Sequence, residues 1–245
     1  MRKEDLRREW LDLSPAWINQ ARETNDPIRR VLLDRPILRA CGSLEGLKVL
    51  DCGCGEGRFC RVLVERGAQY VLGIDTCEPM IEAARELQCE REEYLVVDAE
   101  DLGRIEDAEF DLAVSYMNQC DLPDFGANNR EVFRVLKPGG RFIVANLHPM
   151  RSAVGRWSRT VDGQKLHVIL DNYFDEGPRR WAMMGGVCTN FHRALSRYVG
   201  SFLEAGFGIE GLVEPTVTAE DVTLYPELDD ERRVPNFIVY ILRKL

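Results

Sequence analysis

The chain has 245 residues, enough for one sizeable core, and 45% hydrophobic against 30% charged residues marks a globular protein rather than a disordered one. A net charge of −9 speaks against nucleic acid or an anionic membrane as partner, because phosphates need a basic face to displace their counterions. No apolar run reaches the length of a membrane span, and Arg, Glu and Asp occupy the first residues where a secretory signal would be apolar, so a cytoplasmic protein is expected.

Residues 1–46 read as an amphipathic helical lid, with Trp10, Leu13, Trp17 and Ile18 at helical spacing and breaks at Pro15, Pro27 and Pro36. Arg2, Lys3, Arg7 and Arg8 are interrupted by Glu4, Asp5 and Glu9, the pattern of a solvated helix face. Short apolar runs and helices then alternate: strand 49–52, helix 57–66, strand 70–75, a helix opened by Pro79, strands 94–97 and 110–116, a helix ending near Leu136, and strand 141–147. This spacing predicts βαβ units in an α/β fold: a doubly wound, mostly parallel, seven-stranded sheet. After Pro149 the pattern breaks, and β-like pieces at 165–170 and 187–191 suggest an inserted β-rich cap over 149–191. Residues 192–245 return to the core with a helix at 194–205 and two strands, 209–213 and 237–242. The stretch between those strands (216–235) reads as non-helical, so they are expected to pair antiparallel at one end of the sheet.

The decisive segment is Val49-Leu50-Asp51-Cys52-Gly53-Cys54-Gly55-Glu56-Gly57-Arg58-Phe59, between the first strand and its helix. Three alternate glycines let the backbone pass close beneath a ligand, where open α/β sheets bind their ligands. A dinucleotide fingerprint fails because its third glycine position holds Arg58, and no Gly-Lys-Ser/Thr follows to make a P-loop. Asp51 would repel a pyrophosphate but attract the ammonium and sulfonium of S-adenosylmethionine. Asp75 ends the second strand, 18 residues past Gly57, where a carboxylate can accept both ribose hydroxyls. Asp98 ends the third, where it can accept from an adenine amino group beside the Ala99 amide. An acid at a strand end is often only a cap or turn residue; three in register with a glycine turn point to a cationic nucleoside. The eight cysteines contain no CxxC pair, and Cys52 and Cys54 fall inside the glycine turn, so they read as buried thiols and no metal is expected.

With these residues in place, the sequence resembles the class I S-adenosylmethionine-dependent methyltransferases, most of all their UbiE-like small-molecule branch. The resemblance spans about 47–148 and rests on Val49 to Gly57, Gly73-Ile74-Asp75, Asp98-Ala99-Glu100, Phe110-Asp111-Leu112 and Leu136-Lys137-Pro138-Gly139-Gly140-Arg141. It implies S-adenosylmethionine as cofactor, with S-adenosylhomocysteine as product. Asp51, Gly53, Gly55 and Gly57 would hold the methionine part, Asp75 the ribose, and Asp98 and Ala99 the adenine against Met80. Cys54, Thr76, Glu100 and Tyr116 complete the expected cofactor contacts. A looser likeness in the cap and tail, through Asp171-Asn172-Tyr173-Phe174 and Phe191-His192-Arg193-Ala194, favours a metabolite enzyme over one acting on RNA or protein.

Methyl transfer from a sulfonium is an in-line displacement with an activated leaving group, so positioning does most of the work, and roughly 7–11 kcal/mol can come from it. A base matters only for an acceptor that arrives protonated. Of the three histidines, His148 follows the fifth strand and His192 precedes the last long helix; both are candidate bases, with a structural hydrogen bond as the alternative, and His167 is a weaker one. Tyr116 and Asn118, after the fourth strand, could orient a hydroxyl or amine, and Trp157, Tyr173 and Trp181 could wall an acceptor or form the cap's own core. The leading expectation is methylation of N, O or C of a small molecule. A non-catalytic adenosyl-ligand protein and a macromolecular methyltransferase are the alternatives, since fold alone does not decide function.

Overall fold

The computed structural model describes residues 2–23, 26–153 and 155–245. A seven-stranded sheet forms its centre: β1 (Lys48–Cys52), β2 (Tyr70–Asp75), β3 (Glu92–Val96), β4 (Phe110–Tyr116), β5 (Leu136–Leu147), β10 (Phe207–Val213) and β11 (Phe237–Lys244). Their order is β10-β11-β5-β4-β1-β2-β3. β1 to β5 run parallel, and β11 lies antiparallel between β5 and β10. The chain winds outward from β1 in both directions, which makes the β1–β4 boundary the switch point where the two windings part and leave a crevice.

Strand alternation sends side chains to two cores. Leu50, Cys52, Leu72 and Ile74 pack one face with Val132 of α5 (Phe125–Val135) and Phe202 of α7 (Leu195–Glu204). Val49, Val71, Leu112 and Val114 pack the other face with helices α2 (Arg35–Cys41), α3 (Arg58–Glu65) and α4 (Glu78–Glu86). Between β5 and α7 lie a one-turn helix, α6 (Pro149–Ser152), and two separate hairpins. β6 (Arg156–Arg159) pairs with β7 (Lys165–Ile169), and β8 (Gly177–Met183) with β9 (Gly186–His192). No helix is long and apolar enough to cross a membrane among the described residues.

Three local expectations are corrected. Pro15 does not break the first helix, α1 (Lys3–Arg22). The Leu11 carbonyl that loses its amide donor at Pro15 receives the Ser14 hydroxyl at 2.9 Å instead. The fifth strand begins at Leu136 and passes through Lys137-Pro138-Gly139-Gly140 with a register shift. The stretch 216–235 is helical, holding α8 (Ala219–Leu224) and a 3-10 helix, Pro226–Arg232. Thr218 and Asp221 form a capping box there, and Arg35 ties Asp221 to the start of α2 at 2.7 Å.

Candidate active site

At the carboxyl end of β1 the glycine turn is tied down on both sides. The amides of Gly53 and Cys54 donate to the Ile74 carbonyl at 2.8 and 3.0 Å, and Gly55 N donates to Asp75 Oδ2 at 3.0 Å. Gly53, Gly55 and Gly57 have φ of +75°, +56° and +81°, and a Cβ on Gly53 would fall inside the Asn118 side chain. Gly57 does not line the cavity beyond the turn; it starts α3 beneath Tyr94 and is a packing glycine, which corrects its expected ligand role.

That cavity, about 450 Å³, lies over the strand ends and is closed by α1 and by a π-helical segment, Ile28–Asp34. Its wall includes Asp51, Gly53, Cys54, Gly55, Asp75 and Thr76 from the first two strand ends, and Met80, Asp98, Ala99 and Glu100 from the adenine side expected above. Tyr116 and Asn118 enter from β4. The sequence thus brings these twelve residues to one place.

Its electrostatics are acidic. Asp51 is 1% exposed; one oxygen receives the Cys60 thiol at 3.2 Å and Oδ1 has no partner among the described residues, while burial pushes its carboxyl up to about 7. An orphaned buried oxygen is costly and asks for a cationic donor. Asp75 receives Cys77 N at 2.9 Å besides Gly55 N, and burial raises its carboxyl against those two bonds. Asp98 meets Lys3 at 3.0 Å and Arg7 at 3.2 Å. Against partial burial, the Glu100 amide and Lys3 hold its carboxyl below the usual range. Lys3 also pairs with Glu100. The N-terminal basic cluster stays exposed, as its sequence pattern suggests, while Lys3 and Arg7 reach across from α1 to the acids of the cavity rim.

The proposed bases are placed elsewhere. Among the described residues, neither His148 nor His192 lines the cavity. His148 is buried; Nδ1 accepts from Met150 N at 3.1 Å, capping α6, and Nε2 faces Glu214 at 3.1 Å. Burial pushes its pKa down against the pull of Glu214. His192 is fully buried, with Nε2 at 2.8 Å from the Tyr173 carbonyl and Nδ1 at 2.8 Å from Ser152 Oγ. A carbonyl only accepts, so Nε2 carries the proton and Nδ1 takes the Ser152 hydroxyl. Neither ring nitrogen is free for an acceptor. Tyr116 does line the cavity, but its hydroxyl donates to Asp34 at 3.0 Å, and burial beside that carboxylate drives the phenol well above its ordinary value. It is a wall, not a base.

The cap aromatics are likewise absent from the cavity. Trp157 lies under Arg233 at 4.5 Å, Trp181 under Arg151 at 4.7 Å, and the Tyr173 hydroxyl accepts from Leu195 N at 2.9 Å. Each holds the hairpins to their surroundings. Of the described residues in the 149–191 segment, only Met183 and Met184 reach the cavity.

Among the cavity residues that sequence reasoning did not assign are Trp10, Trp17, Arg29 and Asp121. Trp10 and Trp17, stacked edge to face at 5.3 Å, enter from α1; their spacing of two turns was the available signal. Arg29 lies 4.4 Å above the Trp17 ring with Nε 3.4 Å from Asp26, and burial lowers its pKa. Asp121, in the loop after β4, is another lining acid past a strand end.

Comparison with known proteins agrees with this geometry. Residues 50–144 match the family model of the methyltransferase domain. A solved S-adenosylmethionine dependent methyltransferase from Mesorhizobium loti is 34% identical, covers 85% of this chain and 96% of its own, and superposes with a TM-score of 0.77. A solved protein of Listeria monocytogenes, assigned to the same enzymes, is 30% identical over 86% of this chain and 96% of its own, with a TM-score of 0.78. A ubiquinone biosynthesis O-methyltransferase of Leptothrix cholodnii is 34% identical over 116 residues, 46% of this chain and 49% of the relative, so this likeness spans about half of each. Fold, glycine turn and full-length likeness coincide: the chain belongs to the class I S-adenosylmethionine-dependent methyltransferases.

Proposed function

We propose that this enzyme methylates an N, O or C atom of a small-molecule metabolite. The observation that carries the reading is the closure of the cavity by α1: Trp10 and Trp17 roof a space of about 450 Å³, and Lys3 and Arg7 pin the roof to Asp98 and Glu100. A roofed pocket of this size suits a metabolite better than a polymer. The partial likeness to ubiquinone O-methyltransferases points the same way.

S-adenosylmethionine supplies an activated methyl on a sulfonium. The residues present fit it: the Asp51 carboxylate is suited to the ammonium, Arg29 on Trp17 to the carboxylate, Asp75 to the ribose hydroxyls, and Asp98 with Ala99 and Met80 to the adenine. We infer a helical lid over 1–46, a cofactor-binding core over 47–148, an inserted cap over 149–191 and a return to the core over 192–245, acting in the cytoplasm. The cap's share of the pocket is the Met183–Met184 turn.

S-adenosylhomocysteine should raise the melting temperature and NAD should not. Candidate phenols, amines and carbon acids are then screened for S-adenosylhomocysteine release. Turnover only on RNA or protein would overturn the small-molecule reading.

A further inference from the structure

With His148, His192 and Tyr116 engaged elsewhere and His167 exposed on β7 away from the cavity lining, an acceptor that arrives as N–H or O–H still needs a group to take its proton. We propose that Asp121 is that group, the acceptor-side carboxylate of the pocket. This rests on the small-molecule reading above.

The other lining acids are paired with cations or lie where the cofactor is expected. Glu56 is held by Arg61 at 2.7 Å, Asp98 and Glu100 by α1, Asp26 by Arg29, and Asp75 by two amides. Asp51 lies at the glycine turn, on the methionine side. Asp121 forms no ion pair among the described residues; its Oδ1 receives only the neutral Asn190 amide and the Cys120 thiol, the latter at 3.5 Å. Arg193, whose charge acts on Asp121, spends its guanidinium on the carbonyls of Gln119, Leu122 and Pro123.

The loop that carries Asp121 is fixed before any ligand enters. Met117 adopts a left-handed φ of +58° and donates to the Ala145 carbonyl at 2.8 Å. Cys120 N donates to Asn146 Oδ1 at 3.1 Å, Phe191 N to the Cys120 carbonyl at 2.6 Å, and Asp121 N to the Asn118 carbonyl at 2.8 Å. A carboxylate held this way costs no reorganisation during reaction. Burial pushes its carboxyl up to about 7, opposed by Asn190 and Cys120. The other titratable or charged groups facing it are Asp75 from β2, Arg193 before α7, Tyr198 from α7 and Cys188 from β9. An acid with this value takes and returns a proton near neutral pH.

The step balances. The acceptor lone pair forms the new N–C or O–C bond, the C–S bonding pair stays on sulfur as a thioether, and the proton left on N or O passes to Asp121 and then to water. The substrate class follows: an acceptor whose nucleophilic atom carries both a lone pair and a proton, such as a hydroxyl or a neutral N–H amine.

Sinefungin tests this without a known acceptor, because an amine-bearing carbon replaces the methylated sulfur and projects an ammonium toward the acceptor side. Its affinity is measured by calorimetry against that of S-adenosylhomocysteine from pH 5.5 to 8.5, in the unsubstituted protein and in Asp121→Asn. The ratio cancels the contacts the two nucleosides share, and Asp51→Asn, measured alongside, removes the other carboxylate that burial raises to about 7 and that could meet the extra ammonium. Sinefungin should be preferred by about ten-fold or more at pH 8.5, the preference should fade toward pH 5.5, and Asp121→Asn should abolish it while S-adenosylhomocysteine binds as before. A ratio that is flat with pH and unchanged by the substitution overturns the proposal. If Asp121→Asn folds poorly, the pH series of Asp51→Asn decides: a preference that still fades toward pH 5.5 supports Asp121, and one that is lost overturns the proposal. Failure of S-adenosylhomocysteine itself to bind would instead overturn the reading on which the proposal rests.

Discussion

Replacing Gly57 and, separately, Gly55 with alanine divides the turn into a packing part and a ligand-facing part. At Gly57, where φ is +81°, the new Cβ meets the Tyr94 hydroxyl at 2.5 Å and Cζ at 2.7 Å. The left-handed conformation costs an L residue about 1–2 kcal/mol. Tyr94 is 1% exposed and held at Glu92 Oε2 by a bond of 3.2 Å, so it cannot swing clear, and overpacking adds about 1–3 kcal/mol. The sum, about 2–5 kcal/mol, lowers the melting temperature by about 4–20 °C in a chain of this size. At Gly55 the conformational cost recurs, but the nearest atoms are Met80 Sδ and Trp17 Nε1, both at an ordinary 3.6 Å. Those two residues line the cavity, so the added methyl takes ligand space and should weaken S-adenosylhomocysteine about ten-fold, for a stability loss of only about 1–2 kcal/mol. Scanning fluorimetry without ligand and calorimetry with it separate the two effects. A stable Gly57→Ala protein that fails to bind, beside an unstable Gly55→Ala protein that binds normally, would refute the division.

His192→Ala should destabilise by about 1–3 kcal/mol, by stranding Ser152 Oγ and the Tyr173 carbonyl, and leave the pH profile of turnover unmoved; a shifted profile would restore it as a base. The raised carboxyl of Asp51 favours its protonated form in the fold, so its contribution is present at low pH and is lost as pH rises from about 4 to about 7. Asp51→Asn should therefore raise the ligand-free melting temperature at pH 8 while weakening S-adenosylhomocysteine; unchanged affinity would remove Asp51 from the cofactor site. Replacing Lys3 and Arg7 with alanine should cost under about 1 kcal/mol of global stability, because both pairs are half exposed, yet speed hydrogen exchange along α1. Unchanged exchange would mean that Trp10 and Trp17 alone hold the roof.

Much of the site was legible because local rules govern it. Gly53 and Gly55 are required by the turn itself, and Asp75 and Asp98 stand at strand ends that hydrophobic alternation alone locates. Gly57 shares the same motif yet serves packing, since only Tyr94, 37 residues away, decides what lies above it. The histidines misled for a related reason: His148 and His192 flank the correct strand and helix, but their partners Glu214 and Ser152 are distant in sequence.

By its own periodicities the sequence determined the βαβ alternation and the glycine turn, because pleat, helix pitch and positive φ are properties of neighbouring residues. Which polar groups remain free to meet a ligand was decided only in three dimensions. Tyr116 is bound by Asp34 across 82 residues, Asp98 is clamped by Lys3 across 95, and Asp121 forms no ion pair among the described residues because Arg193 turns to backbone carbonyls. A buried polar group is neutralised by whatever the fold brings within about 3 Å of it, and that proximity is written in no local stretch of the chain.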